Sequence, residues 1–197
     1  MKICAATGNQ GKLKELRRIL EAQGHEVVSQ KELGITTEPD ETGTTFAENA
    51  YLKAMGIYRV TGLPTVADDS GLCVDALDGA PGVYSARYAG EGHNSAENNE
   101  KLLREMENVP DEKRTARFVC AICVVFGEDD IVQCEGICEG TIAHRLHGEN
   151  GFGYDPLFMV GEHSFAELDG PAKDAISHRG RALTALYEKM KDRKEGE

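Results

Sequence analysis

The segment Arg114–Phe126 (RTARFVCAICVVF) constrains the fold most, because it looks like a long strand whose apolar run is nearly continuous. A strand patterned this way is covered on both faces, the arrangement found where helices flank a sheet. The turn Gly127–Asp130 follows, and Ile131–His144 reads as a second long strand paired back on the first.

The surrounding segments supply the covering layers. Lys2–Thr7 predicts a first strand and Glu26–Ser29 a short second one, and between them Lys12–Gln23 places Leu13, Leu16, Ile19 and Leu20 at helical spacing. Thr44–Val60 predicts a further helix, Asn94–Met106 a polar one, and Leu183, Leu186, Tyr187 and Met190 mark a C-terminal amphipathic helix, with a frayed tail after Lys191. Pro64–Ala67 and Leu72–Leu77 read as two strands around a turn, Ile35–Gly43 as an acid-rich loop, and Gly79–Gly82 and Gly148–Pro156 as tight loops. The fold class is therefore α/β with a mixed sheet, in one domain spanning all 197 residues.

Charge narrows the partners. The formal net charge is −12 with no long basic run, which disfavours nucleic-acid binding. A few Lys and Arg gathered in one cleft would still attract a small anion. No stretch approaches the roughly 20 apolar residues of a membrane span and no signal-peptide pattern opens the chain, so a soluble, cytoplasmic protein with no membrane partner is expected. Of six cysteines, Cys4, Cys73, Cys120 and Cys123 sit in apolar runs as buried thiols do. In a strand Cys120 and Cys123 face opposite sides of the sheet and cannot share one zinc ion; Cys134 and Cys138 can share a face but form no zinc knuckle.

The adjacent acids Asp68 and Asp69 end the apolar run Leu63–Ala67 and precede Ser70-Gly71. Carboxylates delivered to the edge of a sheet suit a hard cation such as Mg²⁺; equally, Asp and Ser cap turns. Because strand side chains alternate, only one of the pair can face a given site. Asp69 is the candidate, with Asp68 turned toward structural support.

Thr7-Gly8-Asn9-Gln10-Gly11-Lys12 joins a strand to a helix start, where free backbone N–H groups and the helix dipole favour an anion. It is neither a Walker A loop nor a dinucleotide fingerprint, and an ordinary turn with a solvated lysine explains it too. Lys53 falls on an otherwise apolar helical stripe with Phe46, Ala50, Ile57 and Val60, so it either reaches the rim or meets an acid or a phosphate. Glu38 and Glu41 in the preceding loop offer a second carboxylate or simply a solvated acidic loop. Gly151-Phe152-Gly153-Tyr154-Asp155-Pro156 presents an aromatic ring suited either to stacking on a base or to plugging the sheet edge. Lys173 and Ser177-His178-Arg179 supply hydrogen-bond donors or an ordinary helix start.

Taken in order, Thr7-x-Asn9-x-x-Lys12, Glu41-Thr42-Gly43, Phe46-x-Glu48-Asn49-Ala50, Lys53-Ala54, Ala67-Asp68-Asp69-Ser70-Gly71-Leu72, Gly79-Ala80-Pro81-Gly82, Ser85-Ala86-Arg87, the Gly151–Pro156 loop and Ser177-His178-Arg179 closely resemble the inosine triphosphate pyrophosphatase family. The likeness runs from about Lys2 to Tyr187. It implies a homodimer, an elongated central mixed sheet, and two lobes around a nucleotide cleft. It also implies Mg²⁺-dependent hydrolysis of ITP, dITP or XTP to the monophosphate and pyrophosphate. By the same resemblance Thr7, Gly8, Asn9, Gln10, Gly11 and Lys12 line the triphosphate site. Asp69 binds metal and acts as base beside Lys53 and Lys12, and Ser70 touches substrate. Phe152, Gly153, Tyr154, Asp155, Lys173, His178 and Arg179 hold base and sugar, with His178 or Arg179 donating to the base's 6-oxygen. Glu41 is the second metal acid, with Glu38 its competitor. A pyrophosphatase for modified pyrimidines, a nucleotide sensor and a small kinase are the other readings.

Overall fold

A computed structural model describes residues 1–36 and 39–195; Glu38 lies outside the described residues. The strands β1 (Lys2–Ala5), β2 (Glu26–Ser29), β3 (Thr65–Val74), β4 (Thr115–Gly127), β5 (Asp130–Ile142), β6 (Phe158–Val160) and β7 (His163–Ser164) form one mixed sheet in the order β2-β1-β3-β4-β5-β6-β7. β1 pairs parallel to both β2 and β3, while β5–β6 and β6–β7 are antiparallel. The helices are α1 (Gln10–Ala22), α2 (Phe46–Thr61), α3 (Ser95–Glu105), α4 (Gly170–Ile176) and α5 (His178–Glu195).

The chain divides into two compact units. The first contains Met1–Asp69, Cys120–Gly136 and His178–Glu197. Its strands are buried on both faces, and the alternation is explicit in β4. Cys120, Ile122 and Val124 pack with Leu13, Leu16 and Leu20 of α1 and Leu183 and Leu186 of α5. Ala121, Cys123 and Val125 pack on the other side with Ala50, Ala54 and Ile57 of α2. Cys120 and Cys123 thus face opposite sides, as the strand period requires, and no disulfide joins any of the six cysteines, all of which are among the described residues. Burial pushes the Cys120 thiol up to about 12, so it stays protonated.

The second unit contains Ser70–Val119 and Ile137–Ser177. Its core centres on Phe118, Phe158 and Phe165, with Leu72, Leu102, Met106 and Leu157 around them. Phe118 meets Phe158 edge-on at 4.7 Å and stacks on Phe165 at 5.8 Å, geometries that aromatic quadrupoles favour. Arg114 is buried there and donates to the carbonyls of Met106, Val109, Ile142 and Ala143, tying the end of α3 to the end of β5.

Three expectations are corrected. Residues 63–77 do not form two strands around a turn: β3 continues through Asp68-Asp69-Ser70-Gly71. It is also no edge, since β1 and β4 flank it. The turn-forming tendency of Asp, Ser and Gly yields to charge partners brought in by the helices on either face. On α2, Val60 leaves the apolar stripe and is 64% exposed beside the terminating Gly62. α5 begins at His178 and runs past Lys191, where a frayed tail was expected.

Candidate functional site

Within β3, Val66 points into the core under α1 and α5, and Ala67 into the core under α2. The next two residues repeat that alternation, so Asp68 and Asp69 meet different helices. Asp68 is fully buried on the α1/α5 side. Its Oδ2 accepts from Arg179 Nη2 at 2.8 Å and Nε at 3.2 Å, and stands 3.3 Å from Lys12 Nζ. Arg179 also pairs with Glu15 of α1 through Nη1. Burial alone would raise the Asp68 carboxyl, but Lys12, Arg179 and Lys53 outweigh it and hold the group well below the usual carboxylate range. The same network holds Arg179 above its ordinary value against its own desolvation.

Asp69 meets α2 instead. Its Oδ1 accepts from Lys53 Nζ at 3.0 Å and its Oδ2 from Asn49 Nδ2 at 3.3 Å. Asn49 and Lys53 are one helical turn apart, so both side chains reach the same carboxylate. Lys53 Nζ also stands 3.3 Å from Glu41 Oε1 and thereby bridges the two acids. Burial would lower the Lys53 ammonium, yet Asp69, Asp68 and Glu41 keep it above its ordinary value. The stripe position that made Lys53 costly is resolved by acids.

The first turn of α2 is held by a capping box in which Thr45 and Glu48 exchange hydrogen bonds. Just before it, Gly43 N donates to Asn49 Oδ1 at 2.8 Å. A Cβ on Gly43 would stand 2.7 Å from that oxygen, so only glycine allows the loop to approach closely enough to orient Asn49. At α1, Thr7 Oγ1 accepts from Asn9 N at 3.2 Å and Asn9 Oδ1 caps Lys12 N at 3.1 Å. Gly8, Asn9 and Gln10 are exposed there, and Gly11 is half-buried.

The second unit holds a separate cluster. Asp155 Oδ2 accepts from Phe152 N at 2.9 Å and from Lys173 Nζ at 2.6 Å, both partners of the pair being buried. The Lys173 ammonium lies 4.8 Å from the Phe152 ring centroid, a cation–π distance. Gly151 and Gly153 take positive φ values of 74° and 61°, which closes the loop around that carboxylate. The Tyr154 hydroxyl donates to Ser85 O at 2.7 Å. Ser70 is half-buried on β3.

The structure therefore brings Lys53, Asp69 and Glu41 together, sets Lys12 on Asp68, and joins Phe152, Asp155 and Lys173. It places Arg179 differently from the open donor expected at a base: its guanidinium is committed to Asp68 and Glu15. His178 is buried in the first turn of α5. Asn49 and Glu15 were missed as working residues. Asn49 carried a signal in its i, i+4 spacing from Lys53; Glu15 had none, since an acid on α1 reads as solvated.

The site thus gathers Asp69 of an interior strand, Lys53 of α2 and Glu41 of the loop before α2 in a mixed α/β fold. Comparison makes the class specific. The Ham1 family model matches residues 3–189. A dITP/XTP pyrophosphatase of Photobacterium profundum is 50% identical over 195 residues, covering 97% of this chain and 98% of the relative. One from Desulforamulus reducens is 53% identical over 190 residues, covering 95% and 94%. The solved structure of a HAM1 protein from Coxiella burnetii is 42% identical, with a TM-score of 0.87, covering 98% of this chain and 99% of that one. The chain belongs to the Ham1 family. The resemblance drawn from its motifs is thereby borne out.

Proposed function

We propose that this protein is a nucleoside-triphosphate pyrophosphatase that cleaves deaminated purine nucleotides, dITP, XTP and ITP, to the monophosphate and pyrophosphate. The observation that carries the reading is Lys53 of α2 held between Asp69 on an interior strand and Glu41 in the loop before the helix. Relatives about half identical over nearly their whole length, described as dITP/XTP pyrophosphatases, support the substrate class.

Two carboxylates, one buried and one exposed, are a donor set that suits Mg²⁺, which takes one or two protein carboxylates and leaves its other positions to phosphate oxygens and water. Asp69 and Glu41 would hold the ion, which when bound neutralises phosphate charge. Lys53 and Lys12 add two ammonium groups for the polyphosphate, and the amides at the start of α1 add a dipole. Asp69 orients the attacking water and takes its proton. The new bond forms at the α-phosphorus, the α–β bridging P–O bond breaks, and pyrophosphate leaves. Asn49 fixes the rotamer of Asp69 for that work. The loop cluster of Phe152, Asp155 and Lys173 is assigned to the base, with the ring offering a stacking face. By the same resemblance the enzyme is a cytoplasmic homodimer acting on free nucleotides.

The test is a panel of dITP, XTP, ITP, dATP, dGTP and dTTP with pyrophosphate detection, with and without EDTA. Release from the first three, abolished by EDTA, is expected. Equal turnover of all six, or none, contradicts the reading.

A further inference from the structure

Two adjacent asparagines of α3, Asn98 and Asn99, are buried along with the core residue Leu102. Asn98 accepts from Ala89 N at 2.7 Å and donates to Ala86 O at 3.1 Å, so it clamps the turn of residues 85–89. Asn99 reaches elsewhere: its Nδ2 donates to Gly153 O at 3.0 Å, inside the glycine loop that carries Phe152 and Asp155. That carbonyl belongs to a residue with φ of 61°, a backbone conformation with few internal restraints. Asp155 secures the loop from one end through Phe152 N, and Tyr154 secures it through Ser85 O. Asn99 adds the hold on the Gly153 peptide.

Asn99 makes poor sense as a source of stability. The residue is 6% exposed, and its Oδ1 is buried with no hydrogen-bond partner among the described residues. A buried acceptor left unmatched is unfavourable, and an apolar side chain of similar size would avoid it. The amide is explained by the direction of its one donated bond.

We propose that Asn99 is a positioning residue for base recognition, fixing the Gly151–Asp155 loop so that the Phe152 ring is set for a purine. This rests on the assignment of that loop to the base. Asn99 bonds to the loop and to none of the residues assigned to the phosphates or the water, so its loss acts on base affinity and leaves the chemical step alone.

The experiment compares wild type, Asn99→Ala, Asn99→Asp, Phe152→Ala and the Asn99→Ala/Phe152→Ala double variant. KM and kcat for dITP are measured, with the Ki of tripolyphosphate, which has no base. Asn99→Asp keeps the side-chain volume but sets a carboxylate oxygen against the Gly153 carbonyl, so without any cavity its KM should rise at least as far as that of Asn99→Ala. Loss of one neutral hydrogen bond corresponds to a rise in KM of about 3- to 10-fold in Asn99→Ala, with kcat changed less than about 2-fold. The tripolyphosphate Ki stays at the wild-type value. The double variant shows a KM no more than about 2-fold above Phe152→Ala, because both changes disable one device. A rise in tripolyphosphate Ki equal to that in KM, or fully additive KM effects, overturns the proposal. A wild-type protein that hydrolyses neither dITP nor XTP overturns the functional reading itself, an outcome distinguishable from either.

Discussion

Replacing Arg179 with methionine removes a cation from the most deeply buried charge cluster among the described residues. Arg179 and the Asp68 side chain are 1% and 0% exposed, and Glu15 shares the arginine. Breaking a buried pair by deleting one partner costs about 3–5 kcal/mol, because the remaining charge loses its compensation in a low-dielectric setting. Lys12 stays 3.3 Å from Asp68 and softens the loss, which puts the expected value near the lower end, about 3 kcal/mol. With an unfolding entropy of about 2.1 cal/mol/K per residue over 197 residues, that is a fall in Tm of about 7 °C. Calorimetry at pH 7 reads it directly. Adding Asp68→Asn to Arg179→Met should recover part of the loss, since the orphaned carboxylate is then gone. A Tm shift below about 2 °C, or strictly additive losses, would refute the view that Arg179 is there to hold Asp68.

Two further outcomes follow from the same geometry. The folded Asp68 carboxyl lies well below its ordinary value of 3.8, so its stabilisation is complete above about pH 5 and is lost as pH falls through about 4 toward the folded value; urea midpoints from pH 7 to pH 3 should show an acid limb that Asp68→Asn flattens. Gly43→Ala puts a methyl group 2.7 Å from both Asn49 Oδ1 and Glu48 Cβ, so kcat should fall about 10- to 100-fold through a misplaced Asp69, and Tm should fall by a few degrees from the overpacked contact.

Much of the architecture was legible because it is written in local periodicity. The nearly unbroken apolar run before Phe126 required two covering layers, and the cores under α1/α5 and α2 supply them. Glu26–Ser29 was read with the bounds that β2 has. Asp68-Asp69-Ser70-Gly71 was misread as a turn at a sheet edge because what holds it straight is distant in sequence: Arg179 reaches Asp68 across 111 positions. The alternation of the two acids was nonetheless readable, since strand geometry decides it whatever the partners. β6, β7 and α4, 3, 2 and 7 residues long, are too short to give a periodic signal. Lys53 announced itself as a charge on an apolar stripe. Asn99 and Glu15 could not, because an isolated polar residue on a polar helix carries no chemical pattern until its neighbours in space are known.

The division of labour between the two neighbouring acids is tested most directly by measuring kcat on dITP and Tm side by side for Asp68→Asn and Asp69→Asn. Removing a positioned base costs about 10²–10⁴-fold. Asp69→Asn should lose turnover on that scale while keeping Tm within a few degrees; Asp68→Asn should drop in Tm and keep kcat within about 10-fold of wild type. Equal loss of turnover in both variants, or near-normal turnover in Asp69→Asn, would contradict the account.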